Sequence, residues 1–276
     1  MSDVAEHIDW ERAKKYLANG ATLGRVIRSA RQMPSTQSAA KEAARNGAEH
    51  GEVFVTDYQN AGRGRRDRGW SSSPGIDLTF SVVLRPSVEM RYAHMLNLAA
   101  ALSVKEALGK IFPGAPGAIG IKWPNDVLAD GKKICGIICE SSGAGERVLY
   151  AVLGIGVNVN GGREQTPPTD SPDRPNATSV FMETGRHASL PMLLADVLSE
   201  LEKFHVMVES EERRNALVEI YKRNCSTIGR TVRIISDEGE YTGVAADITS
   251  DGALTLQNEN GAMTFRAADV VHARIQ

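Results

Sequence analysis

The stretch that decides how this chain is interpreted is Gly62-Arg63-Gly64-Arg65-Arg66-Asp67-Arg68-Gly69-Trp70. It carries four arginines within six residues, although the whole chain of 276 residues has a formal net charge of −2. Like charges this close repel one another, so the run makes sense where an anion fills the space between them. Glycines allow close approach of the backbone, and N–H groups together with guanidinium groups can wrap a small anion.

Both flanks of this arginine loop, defined here as residues 62–70, have the pattern of β-strands. Residues 52–56 and 77–84 are apolar and rich in β-branched side chains, which places the run between two strands. Arginine-rich runs are more often solvated faces or nucleic-acid patches. Here the rest of the chain is not basic, and Trp70 could stack on a base, so a small anionic ligand is favoured.

The composition is that of an ordinary globular protein, with 42% hydrophobic and 24% charged residues. The near-neutral charge predicts no bulk affinity for nucleic acid or membranes. Three cysteines give no disulfide framework, and Cys135 and Cys139 share one face of an apolar strand, so we interpret them as small buried hydrophobes. The N-terminus lacks the pattern of a signal peptide, and no apolar stretch is long enough to span a bilayer. We expect a cytoplasmic protein.

The hydrophobic pattern predicts an α/β (α+β) fold in which a mixed β-sheet is flanked by helices. Helices are predicted at 4–19, from a cap at Ser35, Thr36 or Ser38 up to Gly47, at 90–111 and twice within 190–224. Strands are predicted at 119–123, 132–141 and 147–157, and an exposed loop at 158–178. From residue 228 short strands alternate with Gly-containing turns, which predicts a small β-barrel that docks on the rest. We predict two domains, 1–225 and 226–276.

Three further groups of residues carry chemistry. Lys122-Trp123-Pro124-Asn125-Asp126 is a turn with an amide and a carboxylate, Gly131 to Gly136 leads two lysines into an apolar strand, and a third group runs from Gly154 to Asn158. Each is weak alone: the lysines could be solvated, Asn-Asp is a common turn pair, and Gly-x-Gly without a following helix is no dinucleotide fingerprint. Their joint occurrence, in this order, decides the interpretation.

Together these motifs resemble those of the biotin protein ligases (biotin–[acetyl-CoA-carboxylase] ligases). The resemblance rests on the arginine loop, Lys122-Trp-Pro-Asn-Asp126, Lys133-Ile-Cys-Gly136, Gly154-Ile-Gly-Val-Asn158 and the Ser35-Thr36 pair. It covers residues 30–160 motif by motif, and residues 228–276 resemble the family's C-terminal SH3-like domain more loosely. The resemblance implies a class II synthetase-like catalytic domain followed by an SH3-like β-barrel. Asp67 and Gln37 stand where the family frequently has glycine and asparagine.

The resemblance also implies a two-step reaction. The carboxylate of biotin attacks the α-phosphate of ATP to give biotinyl-5′-AMP and pyrophosphate. A lysine of a biotin carboxyl carrier domain, from acetyl-CoA carboxylase or a related carboxylase, then attacks the mixed anhydride. A carboxylate and a triphosphate repel each other, so the first step needs dense positive charge together with Mg²⁺.

The residues to which the resemblance assigns roles fall into three sets. The catalytic pair is Lys133 and Arg65. The biotin-binding set is Ser35, Thr36, Gln37, Gln59, Gly62, Arg63, Gly64, Arg65, Lys133 and Gly136. The nucleotide-binding set is Arg65, Arg68, Trp70, Asn125, Asp126, Lys133, Gly154, Gly156 and Asn158, with the nucleotide bringing its magnesium and no separate metal site in the protein. We expect the arginine loop to be mobile when empty and to order over the adenylate.

Other functions stay open at this point. A lipoate or octanoate ligase of the related fold would use similar chemistry, and a biotin- or nucleotide-binding regulator would use the same pocket without catalysis. Only 34 residues precede Ser35, too few for the winged helix-turn-helix of the family's repressors, so we expect the ligase-only form without DNA binding. We expect no membrane partner, and a monomer or a weak homodimer.

Overall fold

The computed structural model describes residues 7–112, 119–166, 175–236, 238–266 and 268–272. Its larger sheet has seven strands in the order β1-β2-β3-β7-β6-β5-β4. These strands are β1 (Ile27–Ala30), β2 (Val53–Thr56), β3 (Leu78–Leu84), β4 (Ile119–Lys122), β5 (Asp126–Ala129), β6 (Lys132–Ala144) and β7 (Arg147–Val157). β1 and β2 pair in parallel and the other neighbours are antiparallel, which confirms the predicted mixed sheet.

Helices cover both faces of this sheet. They are α1 (Thr36–Arg45), α2 (Met95–Gly109), α3 (Val180–Thr184), α4 (Leu190–Phe204) and α5 (Glu211–Asn224). α1 connects β1 to β2 and packs Ala40 and Ala44 against one face of the sheet, beside Phe54. α2 and α4 pack on the opposite face, where alternate residues of the same strands point. Every residue of β3 is buried, so the centre of the sheet is covered on both sides.

The second sheet is antiparallel and has the order β11-β10-β9-β8-β12. Its strands are β8 (Thr231–Ser236), β9 (Gly239–Ile248), β10 (Leu254–Asn258), β11 (Gly261–Phe265) and β12 (Asp269–His272). The sheet is joined to the larger one where Trp123 Nε1 donates to the Gly252 carbonyl at 3.1 Å and a ring nitrogen of His94 lies 2.7 Å from the Asp251 carbonyl. The docking expected for this small region is therefore observed, while the boundary at residues 225 and 226 stays a prediction.

Two predicted helices differ from the structure. The helix predicted at 4–19 is a 3-10 helix over Trp10–Tyr16, and residues 1–6 lie outside the described part. It buries only Trp10 and Ala13, which is too narrow an apolar stripe to support a longer helix. The helix predicted at 90–111 divides into a 3-10 turn, Met90–Tyr92, and α2.

The predictions for the loop after β7, for the cysteines and for membrane spans can be compared with the structure. Within the loop predicted at 158–178, the described residues form no helix or named strand, and 167–174 lie outside the described part. Cys135 is fully buried, as predicted, whereas Cys139 is only partly buried against the core. Burial raises the pKa of the Cys139 thiol to about 12. Across the residues described, no helix is both long and apolar enough to cross a membrane.

Candidate active site

One cavity gathers most of the residues singled out in the sequence. It lies between the arginine loop and the ends of β5, β6 and β7. From the predicted set it is lined by Thr36, Gln37, Gln59, Arg63, Gly64, Arg65, Arg68, Trp70, Asn125, Asp126, Lys133, Gly136, Gly154 and Gly156. Motifs that are far apart in the sequence therefore meet at one place, because β2, β3, β7 and β6 are neighbours in the sheet.

The arginine loop folds as a small hairpin over this cavity. Trp70 N donates to the Gly62 carbonyl at 2.9 Å, and Gly64 N donates to the Arg68 carbonyl at 2.7 Å. A Cβ on Gly62 would lie 2.4 Å from the Trp70 carbonyl oxygen, so glycine is needed for the closure. Arg66 at the tip has a positive φ of 52°. The side chain of Asp67 lies outside the described part.

The second sheet supplies groups that offset the repulsion within the loop. Arg65 donates to Asn125 Oδ1 at 2.9 Å and to the Ala268 carbonyl at 3.3 Å. Asp269, the first residue of β12, forms ion pairs with Arg68 and Arg66. Burial lowers the pKa of the Arg65 guanidinium, while Asp126 acts in the opposite direction. A carboxylate from the C-terminal sheet thus lies among the arginines, although no motif in the sequence indicates it.

The turn between β4 and β5 fixes the polar groups opposite the loop. Asn125 Nδ2 donates to the Ile137 carbonyl at 2.5 Å, which leaves its Oδ1 to accept from Arg65. Lys133 Nζ lies 2.6 Å from Asp126 Oδ1. The resulting corner presents a guanidinium and an ammonium, each held by a polar partner.

Lys122 is a charged residue next to this corner to which the sequence analysis assigns no role. It is buried, and burial lowers the pKa of its ammonium group, with Asp126 opposing and Lys133 and Arg68 adding to the shift. The sequence feature that points to Lys122 is its position in the motif Lys-Trp-Pro-Asn-Asp. A buried lysine surrounded by other cations indicates a place built for negative charge.

At the other end of the cavity the polar groups are neutral. Gln59 Oε1 accepts from Thr36 N at 2.8 Å and from Thr36 Oγ1 at 3.2 Å. Ser81 Oγ donates to Gln37 Oε1 at 3.1 Å and lies 3.0 Å from Thr36 Oγ1. Ser81 was not identified from the sequence either. Its one signal was a serine in the middle of a mainly apolar strand, Leu78–Leu84.

Between the two ends the indole of Trp70 lies on a floor made of glycine. Gly136 and Gly156 are paired across β6 and β7. A Cβ on Gly156 would lie 2.4 Å from Trp70 Cε2, and one on Gly136 would lie 3.0 Å from Trp70 Cζ3. Trp70 Nε1 is buried and has no hydrogen-bond partner within the described residues. The floor therefore accepts a flat aromatic group.

Three residues of the predicted set do not line the cavity. Ser35 is the N-cap of α1, where its Oγ accepts from Ser38 N at 3.4 Å, and Gly62 lies at the base of the loop hairpin. Asn158 Nδ2 donates to the Thr178 carbonyl at 2.9 Å, so this side chain fastens the segment after β7. The ligand-binding roles assigned to all three stay predictions.

The two ends of the cavity differ in charge, and this difference determines which ligands fit. One end offers several cations and two carboxylates, those of Asp126 and Asp269. The other end offers neutral amides and hydroxyls, and apolar surface that includes Ile138 lies between them. Such a cavity suits a ligand with a neutral polar head, an apolar middle and an anionic tail. Among the described side chains there is no group of three or more His, Cys, Asp or Glu that could hold a metal ion by itself.

Comparisons with known proteins show which family the chain is similar to. Residues 29–158 match the model of the biotin/lipoate A/B protein ligase family, and residues 227–273 match the biotin protein ligase C-terminal domain. The chain is 32% identical over 268 residues to a biotin–[acetyl-CoA-carboxylase] ligase of Mycobacterium tuberculosis, covering 96% of each. It is 33% identical over 242 residues to the bifunctional ligase/repressor BirA of Bacillus subtilis, covering 86% of this chain and 71% of that protein.

A solved structure is similar over nearly the same length. The biotin protein ligase of Aquifex aeolicus in complex with biotin and ATP superposes with a TM-score of 0.75 at 25% identity, covering 91% of this chain and all of the other.

Proposed function

The chain belongs to the biotin protein ligase family, and from that premise we propose that it uses ATP to activate biotin as biotinyl-5′-AMP and transfers the biotinyl group to a lysine of a carrier protein. The observation that carries the proposal is the polarity of the cavity. Biotin has a neutral ureido head, an apolar ring and chain, and a terminal carboxylate. The cavity offers Thr36 and Gln59 at its neutral end and Lys133 and Arg65 at its cationic end.

With its ureido head at the neutral end, biotin has its carboxylate at the corner formed by Arg65 and Lys133. ATP occupies the same cationic end, and its base stacks on the indole of Trp70, which itself lies on the glycine floor. The cations lower the repulsion between the carboxylate and the triphosphate, so the two anions approach within bonding distance. The Asn125 Oδ1 atom and the Ala268 carbonyl accept from the Arg65 guanidinium and so direct it at the reacting groups.

In the first step a carboxylate oxygen of biotin forms a bond to the α-phosphorus of ATP, and the bond from that phosphorus to the bridging oxygen breaks. Pyrophosphate leaves with the electron pair. Negative charge grows on the α-phosphoryl oxygens as this happens, and Lys133 and Arg65 are the donors that meet it. Cover by the arginine loop excludes water, which would otherwise hydrolyse the mixed anhydride.

In the second step the unprotonated amine of the carrier lysine attacks the acyl carbon of biotinyl-5′-AMP. The amide forms, AMP leaves, and the amine releases its proton. The same cations that stabilised the first step stabilise the departing AMP phosphate, because the acyl–phosphate junction stays at the same corner.

Mg²⁺ fits this site as a companion of the triphosphate. Protein sites usually hold Mg²⁺ through one or two carboxylates plus substrate phosphates, and Asp126 lines the cavity beside Lys133. Asp126, assisted by Asn125, would hold the ion, which would supply further charge neutralisation when bound.

The relatives indicate the acceptor. The Mycobacterium tuberculosis and Paracoccus denitrificans proteins are biotin–[acetyl-CoA-carboxylase] ligases, the latter 35% identical over 219 residues. We therefore assign the biotin carboxyl carrier domain of a carboxylase as the partner of this chain.

The test is exchange of labelled pyrophosphate into ATP by the purified chain, with biotin, lipoate or octanoate as the acid. Exchange with biotin alone supports the proposal, and transfer of labelled biotin to a carrier domain completes it. Exchange that requires lipoate or octanoate assigns the chain to the sister activity. If none of the three acids supports exchange, the chain does not activate an acid with ATP, and the proposed catalysis is wrong.

A further inference from the structure

Glu140, which does not line the cavity, is connected to its neutral end through Gln37. We propose that Glu140 is a positioning residue that fixes the orientation of the Gln37 amide, so that Gln37 presents its carbonyl oxygen to an N–H of the ureido ring. This inference rests on the proposed function, because it concerns how the same site recognises the head of biotin.

The orientation of the Gln37 amide follows from what surrounds it. Gln37 is 2% exposed, and its Nε2 lies 2.9 Å from Glu140 Oε2 and 3.1 Å from the Val152 carbonyl. A carboxylate and a backbone carbonyl can only accept hydrogen bonds. Both neighbours therefore require the NH₂ end of the amide, and the opposite orientation would bring three oxygens together.

Glu140 can impose this choice because it is held as an anion. Lys41 Nζ lies 2.5 Å from Glu140 Oε1, while Oε2 faces Gln37. Burial by itself raises the pKa of Glu140, but hydrogen bonds from Lys41 and Gln37 outweigh it and the net pKa is lowered. The carboxyl group is thus ionised at neutral pH and has no proton to donate.

The carbonyl of Gln37 is consequently directed away from Glu140. It accepts from Ser81 Oγ at 3.1 Å and lies over Gly154, where a Cβ would come within 2.5 Å of Oε1. An amide oxygen has two lone pairs, so one remains for a ligand after Ser81 has donated. Glycine at position 154 leaves the room that this carbonyl occupies.

Gln59 is oriented in the complementary sense. Its Oε1 is occupied by Thr36 N at 2.8 Å, which leaves Nε2 as the donor. Gln37 and Gln59 therefore offer one acceptor and one donor, and a cyclic urea, with two N–H groups beside one carbonyl, matches that pair. The acceptor half of this recognition depends on Glu140.

A double-mutant cycle on the KM for biotin tests the inference, with pyrophosphate exchange as the assay. Glu140→Ala removes one of the two acceptors that orient the Gln37 amide and leaves only the Val152 carbonyl, so the amide is held less firmly. Loss of one oriented hydrogen bond to the ureido ring weakens binding by roughly tenfold. The KM for biotin should rise about tenfold, while kcat and the KM for ATP stay within about twofold, since the ureido head is remote from the reacting atoms. In the Gln37→Ala background the same change should have no further effect.

Two more variants keep the result interpretable. Glu140→Gln retains the side-chain volume and should show the same pattern at smaller size, even if Glu140→Ala folds poorly. Lys41→Met removes the partner of Glu140 but keeps the carboxylate against Gln37, so its KM for biotin should stay within about threefold of wild type.

An unchanged KM in both Glu140 variants would overturn the inference, as would losses that multiply in the double mutant or that fall equally on kcat and on ATP. These outcomes leave biotin-dependent exchange by the wild-type chain intact. Failure of the wild-type chain to exchange with biotin overturns the proposed function, and this inference with it, so the two failures are distinguished in one assay.

Discussion

Replacing Lys133 with methionine removes a cation from the floor of the cavity and keeps a side chain of similar length. Lys133 Nζ lies 2.6 Å from Asp126 Oδ1, with the two side chains 30% and 18% exposed, so its charge acts in a partly desolvated place. Two unit charges 4 Å apart interact by about 4 kcal/mol at an effective dielectric constant near 20. Charge that develops on the α-phosphate would lose an interaction of this order.

A second consequence of the substitution acts in the same direction. Asp126 would be left without its ammonium partner and would repel the incoming phosphates, whereas screening by the water that enters the cavity reduces both effects. We therefore expect kcat for biotin-dependent pyrophosphate exchange to fall by about 10²–10³-fold. The KM for biotin should change much less, because the interaction strengthens mainly in the transition state.

Lys132→Met is the matched control for this experiment. Lys132 precedes Lys133 in β6, pairs with Glu183 at 3.0 Å and does not line the cavity. Its exchange rate should stay within about threefold of wild type, as expected for an exposed ion pair. Retention of more than a tenth of wild-type kcat by Lys133→Met would refute the electrostatic reasoning. An equal loss in Lys132→Met would show that the effect is structural rather than local.

Three other predictions concern the loop, the floor and the pH dependence of stability. Asp269→Asn removes the carboxylate that pairs with two arginines of the loop, so trypsin should cleave residues 62–70 several-fold faster than in wild type. Biotin with ATP should slow that cleavage. An equal cleavage rate in the variant and in wild type would mean that the C-terminal sheet does not hold the loop. Gly156→Ala places a Cβ 2.4 Å from Trp70 Cε2, so the indole must move and the KM for ATP should rise about tenfold or more. An unchanged KM for ATP would show that the base does not stack on the indole in this position. Burial raises the pKa of Asp77 from 3.8 to about 6, so Asp77 favours the folded state most below pH 4 and loses that advantage as pH rises through about 6. Relative to Asp77→Asn, the free energy of unfolding of wild type should fall by up to about 3 kcal/mol between pH 4 and 7, measured by urea denaturation, and a constant difference would contradict the shift.

Patterns within single elements are enough to predict most of the fold. The helix that starts after Ser35, the strands predicted at 132–141 and 147–157 and the helical stretch 190–224 all carry their signals in adjacent residues. β1 (Ile-Arg-Ser-Ala) and β12 (Asp-Val-Val-His) are not predicted because neither short sequence has a sustained apolar run or alternation of its own. Each is defined by the strand with which it pairs. Pairing is a long-range property, so a short segment shows little of it in its sequence.

The same distinction separates the site residues that were found from those that were missed. Arg65, Lys133 and Asn125 stand in motifs whose composition is unusual in itself. Ser81 and Asp269 are single polar residues in ordinary surroundings, and they matter because the sheet order brings them to the cavity. Their roles depend on tertiary neighbours that no local pattern contains.

The glycines of the last motif show how the two levels combine. Gly154-Ile155-Gly156 is not a dinucleotide fingerprint, because no helix directly follows it: β7 ends at Val157, and the described residues 158–166 form no helix. The glycines serve instead by lacking Cβ atoms on one face of the sheet: Gly154 makes room for the Gln37 carbonyl, and Gly156 for the Trp70 indole. Because alternate residues of a strand point to the same face, the spacing Gly-x-Gly opens two adjacent places for ligand-facing groups. The side chain of the intervening Ile155 then points to the opposite face and joins the hydrophobic core, so one short strand segment supports the fold and shapes the cavity at once.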